Sequence, residues 1–147
     1  MHLTRTRRRK LRIHWPLNSE TFERFLTDPS GSAYLSSALS DLTGVIQRTP
    51  ELGDFGSYTD VVEMSLGYES FLVGSAANAT LGSPGERAVS PTLVVTTYLS
   101  TTVTDERVDE ILESIVGAHP WEVPVIELME TVELVAPAPV AAAGVHA

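Results

Sequence analysis

His119 and Glu122 stand three residues apart between Pro120 and Pro124, on a segment that two proline rings stiffen. An imidazole and a carboxylate so placed could bind a divalent metal ion or work as an acid–base pair. One metal ion takes three or four protein ligands, so His119 and Glu122 would need His14, Glu63, Glu127 or Asp60 to complete the shell, from this chain or a neighbouring copy. The structural alternative is that both side chains hydrogen-bond backbone groups and hold the loop against its surroundings. A catalytic reading would use His14 or His119 as general base and Glu63 or Glu122 as its partner. Arg48 and Arg87 are two of only four basic residues from Ile13 onward, which makes them anchors for an anionic ligand or members of surface ion pairs. Tyr58, Tyr98 and Trp121 could stack on a flat ligand, or pack as core aromatics. Gly53/Gly56 and Gly82/Gly85 match no phosphate-loop pattern and read as turn glycines. No nucleophile elbow surrounds any serine.

These residues need elements to hold them. Val108, Ile111, Leu112, Ile115 and Val116 recur on a 3.6-residue period, giving an amphipathic helix that Thr104 or Asp105 can cap. The expectation is that Gly117 leaves this helix in a left-handed conformation, that Pro120 forbids its resumption, and that residues 125–135 return as a strand. Leu11, Ile13 and Trp15 alternate with Arg12 and His14, which predicts a half-buried strand ended by Pro16. Asn18 or Ser19 caps a short helix carrying Phe22, Phe25 and Leu26, and Asp28-Pro29-Ser30-Gly31 closes it. A second helical stretch over 32–42 carries Tyr34, Leu35, Ala38, Leu39 and Leu42, with Gly44 as its stop and a short strand at Val45–Arg48. Thr92–Leu99 is β-branched and strand-like. The order predicts an α+β fold of ferredoxin-like βαββαβ type, an antiparallel sheet with its helices on one face and one added helix. The other face is expected to carry Val and Leu side chains that need a cover.

The segment His119-Pro120-Trp121-Glu122-Val123-Pro124-Val125-Ile126 resembles a His-Pro-aromatic-Glu-x-Pro-x-Ile signature. That signature is shared by the divalent-cation-tolerance (CutA) family and the insert domain of Nif-three-like proteins. Gly53-Asp-Phe-Gly-Ser-Tyr58 resembles the Gly-x-Ile-Gly-Asn-Tyr loop of those inserts, with Ser57 in place of Asn. Gly67-Tyr-Glu-Ser-Phe71 is similar to their Gly-rich strand ending in Phe, Gly74–Asn78 to their Gly-Ala-Asn-Pro without the proline, and Thr80-Leu-Gly82 with Gly85-Glu86 to their Ile-Gly-x-x-Gly turn. The likeness spans residues 53–128. Val61 stands where the family commonly has Cys, so a role for that thiol is absent. The resemblance implies a PII-like module in which neighbouring subunits cover the open face: a homotrimer first, a dimer second. The dimetal site of full-length Nif-three-like proteins lies in a flanking domain that nothing here resembles, so their hydrolase activity is not implied.

Composition bounds the rest. A chain of 147 residues with 43% hydrophobic and 20% charged residues suits one globular domain. Without cysteine there are no disulfides or thiolate metal sites. The opening Met-His-Leu-Thr-Arg lacks a secretion signal, so a cytoplasmic protein without a membrane partner is expected. Six of the ten basic residues lie between Arg5 and Arg12, while four basic residues face nineteen acidic ones thereafter. Residues 1–10 are therefore read as a mobile basic arm, solvated or docked on the acidic body; nucleic acid is an unfavoured partner because that body repels phosphate. Residues 11–135 form the domain and 136–147 a disordered Ala/Pro tail. The leading functional expectation is an oligomeric module that binds a small ligand or a divalent metal ion, with no catalysis evident. The rivals are a small cyclase, isomerase or hydrolase of specialised metabolism, and a structural protein whose helix 32–42 docks another chain.

Overall fold

The alternation at Leu11, Ile13 and Trp15 builds a strand whose inner side chains are almost wholly buried. In the computed structural model, which describes residues 1–138, that strand is β1 (Leu3–Pro16). It is followed by α1 (Ser19–Thr27), two 3-10 turns (Ser32–Leu35 and Ser37–Leu39), α2 (Ser40–Gln47), β2 (Glu63–Leu72), β3 (Arg87–Ser100), α3 (Asp105–Ala118) and β4 (Ile126–Pro137). The four strands form one antiparallel sheet in the order β2-β3-β1-β4. This is the ferredoxin-like α+β arrangement, with α2 the added helix.

One core joins sheet to helices. Leu11 and Ile13 of β1 and Leu93, Val95 and Leu99 of β3 pack against Val108, Ile111 and Ile115 of α3 and Leu42, Val45 and Ile46 of α2. Asn18 caps α1 by accepting from Thr21 N–H at 2.7 Å, and Thr104 caps α3 by accepting from Arg107 N–H at 3.2 Å.

Several expectations give way to the structure. Residues 45–48 are not a strand: Leu42, Val45 and Ile46 share one helical face, and burying it carries α2 straight through Gly44. Gly117 is not left-handed; α3 continues to Ala118, and extended His119 closes it by donating its N–H to Ile115 O and Val116 O. Leu3–Lys10 are not a free arm but the first half of β1, paired with β4 as far as Pro137. Acidic partners draw this half in: Arg5 meets Glu133 at 3.0 Å, while Arg9 meets Asp105 at 2.8 Å and Glu130 at 3.2 Å. Of the expected tail, Ala136 and Pro137 end β4, and 139–147 lie outside the described residues.

The face away from the helices is also more polar than expected. Register places Glu63, Thr96, Arg12 and Glu127 in one row across all four strands, with His14 and Val94 side by side in the next.

Candidate functional site

His119 is positioned by the end of α3 and the proline after it, which together set φ −68° and ψ 134°. Its ring lies 4.6 Å from that of Trp15, centre to centre, and the residue is buried. Nδ1 accepts from Trp121 N–H at 3.0 Å, which puts the ring proton on Nε2, where it is donated to His14 O at 2.6 Å. Burial lowers the His119 pKa, outweighing the His14 carbonyl and the Glu69 charge, so the ring is neutral at pH 7. Both nitrogens are therefore spent on backbone groups. A divalent ion does not fit here, since no lone pair of His119 is free and no group of three His, Cys, Asp or Glu among the described residues could hold one.

Glu122 is exposed and its Oε1 accepts from Asn78 N–H at 3.2 Å, which ties the loop after α3 to the β2–β3 connection. His14 Nε2 is enclosed and lies 3.6 Å from Glu127 Oε1, the oxygen that Arg12 Nη1 also approaches at 3.3 Å. The carboxylate nearest His14 is thus Glu127; Glu63 stands beyond Arg12 and Thr96 in the adjoining row, so neither proposed pairing of His14 with Glu63 nor of His119 with Glu122 is assembled.

The remaining candidates scatter. Tyr58 is 75% exposed, in a loop joined to the sheet through Gly53 N–H to Tyr98 O at 2.8 Å. Tyr98 lies four residues along β3 from Val94, the neighbour of His14, or about 13 Å away. In the same region, burial and then the Asp60 charge push the Tyr34 hydroxyl up to about 12, and burial raises Asp60. Arg48 is the exposed C-cap of α2, and Arg87 donates to Ser70 Oγ at 2.9 Å across the β2–β3 pair. Of the sequence candidates, Trp121 and Glu122 line the cavities described next.

Two cavities flank Trp121. One of about 270 Å³ is walled by Glu69, Phe71, Leu81, Trp121, Glu122 and Val123, among others. The other, of about 340 Å³, lies towards Asn18, Thr21 and Asp41 and shares Thr80, Leu81 and Trp121 with the first. The rings of Phe71 and Trp121 meet edge-on at 5.4 Å, and His119 holds the Trp121 backbone. The turn at Gly82 needs a left-handed glycine, with φ +86°, and a side chain there would press on Val73 and Ala88. Glu69, one of the residues that wall the first cavity, has its Oε1 shut off from solvent with no donor among the described residues. Sequence reasoning quoted Glu69 and Phe71 within the Gly67–Phe71 motif but missed both as cavity residues, because the rest of the wall comes from distant segments.

No protein-family model matches the chain, and no curated protein matches it in sequence. Among solved structures it is similar to a Bacillus cereus protein related to NIF3, with a TM-score of 0.51 and 13% identity, over 85% of this chain and 26% of that one. The likeness is one of fold: the chain shares a domain-sized region with that protein and spans about a quarter of its length.

Proposed function

We propose that this chain is a small-ligand-binding module that acts as a homo-oligomer and does no chemistry on what it binds. The observation that carries this reading is the open cavity beside Trp121, bordered by Glu122, which accepts from Asn78 N–H, and steadied by His119. The fold relationship to a NIF3-related protein is compatible with a binding or regulatory role, and the wider kinship to CutA proteins, including a trimeric state, belongs to the same proposal. Self-association is supported by β2, an edge strand on which Met64, Leu66, Tyr68 and Leu72 are exposed. The catalytic alternative is left with His14 and Glu127, and Arg12 already occupies the relevant carboxylate oxygen.

The test is a melting-temperature screen of the full chain against organic amines, neutral aromatics, nucleotides and divalent metal ions. At least one small organic compound is expected to raise Tm in the parent protein and to lose that effect in Trp121→Ala. A screen in which no class raises Tm overturns the binding reading.

A further inference from the structure

We infer that residues 74–81, in the connection between β2 and β3, form a movable flap along the two cavities that flank Trp121, and that Glu122 is its latch. This deepens the binding reading above by naming the wall that yields to a ligand. The stretch reads Gly-Ser-Ala-Ala-Asn-Ala-Thr-Leu and has no large side chain before Leu81 with which to anchor itself. All eight residues are accordingly exposed. They nevertheless supply wall to both cavities: Ala77, Ala79, Thr80 and Leu81 border the first, and Thr80 and Leu81 border the second as well.

The surroundings of this stretch are fixed, and the stretch itself is not. Beyond residue 81, Gly85 N–H donates to Val73 O at 2.7 Å and Val73 N–H to Glu86 O at 2.9 Å, while the left-handed Gly82 packs against Val73 and Ala88. The facing wall is held too, because Pro120 and Pro124 stiffen the loop after α3 and His119 Nδ1 takes the Trp121 N–H. Among the described residues, by contrast, 75–81 make one hydrogen bond to the rest of the chain, from Asn78 N–H to Glu122 Oε1 at 3.2 Å. At Gly74 an added Cβ would meet nothing within 4 Å, so the chain has room to pivot there. One hydrogen bond to an exposed carboxylate favours the latched position by about tenfold, which leaves a released form for a ligand to select. Release moves Thr80 and Leu81, two residues that the cavities share, and lets the site take a body larger than the first cavity of about 270 Å³ admits.

The test is nuclear magnetic resonance relaxation on the full chain, with acrylamide quenching of tryptophan as a second readout. Order parameters over 75–81 are expected to fall from about 0.8 in the parent protein to below about 0.6 in Glu122→Ala, while those over 82–86 stay as they are. Trp15 is buried, so the accompanying gain in quenching, about twofold, reports Trp121 losing its cover. Glu122→Gln keeps an acceptor oxygen and is expected to fall between the two. Unchanged amide shifts in β1 and α3 separate release of the flap from loss of the fold. Order parameters over 75–81 that are equal in the parent and Glu122→Ala, whether high or low, overturn the inference. So does loosening that extends into 82–86, or quenching that stays the same when 75–81 loosen. The two readings can fail separately. A Trp121-dependent ligand alongside an indifferent Glu122→Ala leaves the binding reading standing without the flap. A flap that Glu122→Ala releases, in a protein whose Tm no compound raises, leaves the flap standing without the ligand.

Discussion

At the scale of single residues, His119 shows why a recognisable motif is not a site. The side chain that looked most like a ligand or base is a buried brace whose two nitrogens join the end of β1 to the loop after α3. Replacing it with Ala removes two hydrogen bonds and the contact with Trp15, so a loss of about 2–4 kcal/mol in urea unfolding is expected. Its titration gives a second expectation. Burial keeps the folded-state pKa below the ordinary 6.5, so the folded state takes up fewer protons than the unfolded one as the pH falls. The stability this neutral ring contributes is fully present above about pH 6.5 and is lost as the pH drops towards and through the lowered folded pKa. Stability measured from pH 7.5 to pH 5 should therefore fall in the parent protein and fall less in His119→Gln. An equal slope in both would show that the ring is not held neutral.

At the scale of elements, two glycines that look alike in sequence should respond in opposite senses. Gly44 lies inside α2, where an added Cβ meets only the flexible end of Arg48, so Gly44→Ala should stabilise by about 0.5–1 kcal/mol through helix propensity. Gly53 has φ +67° and an added Cβ would fall 2.4 Å from the Val61 backbone, so Gly53→Ala should destabilise by about 2 kcal/mol or more. Chemical denaturation of both variants tests the pair, and a destabilised Gly44→Ala would contradict the continuous α2. The contrast also marks what the sequence could tell. Periodicity and capping residues made the second half of β1, α1, the start of α3 and β4 legible, whereas the first half of β1 is held by pairing with β4 that no local pattern shows. The added helix, expected over 32–42, is displaced at both ends: Ser32–Leu35 and Ser37–Leu39 form 3-10 turns, and α2 runs on past Gly44 because the buried Leu42, Val45 and Ile46 keep the chain helical. The cavity was only half visible, since Trp121 and Glu122 share one motif and Glu69 and Phe71 another, and no local pattern tells that the two segments meet.

At the scale of the molecule, the question is which surface a second copy would cover. The expectation of an apolar open face does not hold, because Glu63, Thr96, Arg12 and Glu127 cross it as a polar row flanked by His14. Exposed apolar side chains gather instead on β2, where Leu66 is 37% and Tyr68 68% exposed. One backbone edge of this strand is unpaired within the sheet, so association by strand addition would satisfy its N–H and C=O groups while removing those side chains from water. The other edge strand, β4, is better guarded: Glu130 and Glu133 line it and pair with Arg9 and Arg5, leaving β2 as the preferred contact. A lysine on β2 sets its charge against burial in such a contact, and at Leu66, 37% exposed and opposite the buried Leu93, the long side chain can carry its ammonium out to water. Leu66→Lys is accordingly expected to shift the protein from oligomer to monomer in native mass spectrometry and sedimentation, with its far-UV spectrum unchanged. A parent protein that is monomeric at all accessible concentrations would remove the basis for self-association, and an oligomer indifferent to Leu66→Lys would place the interface elsewhere than β2.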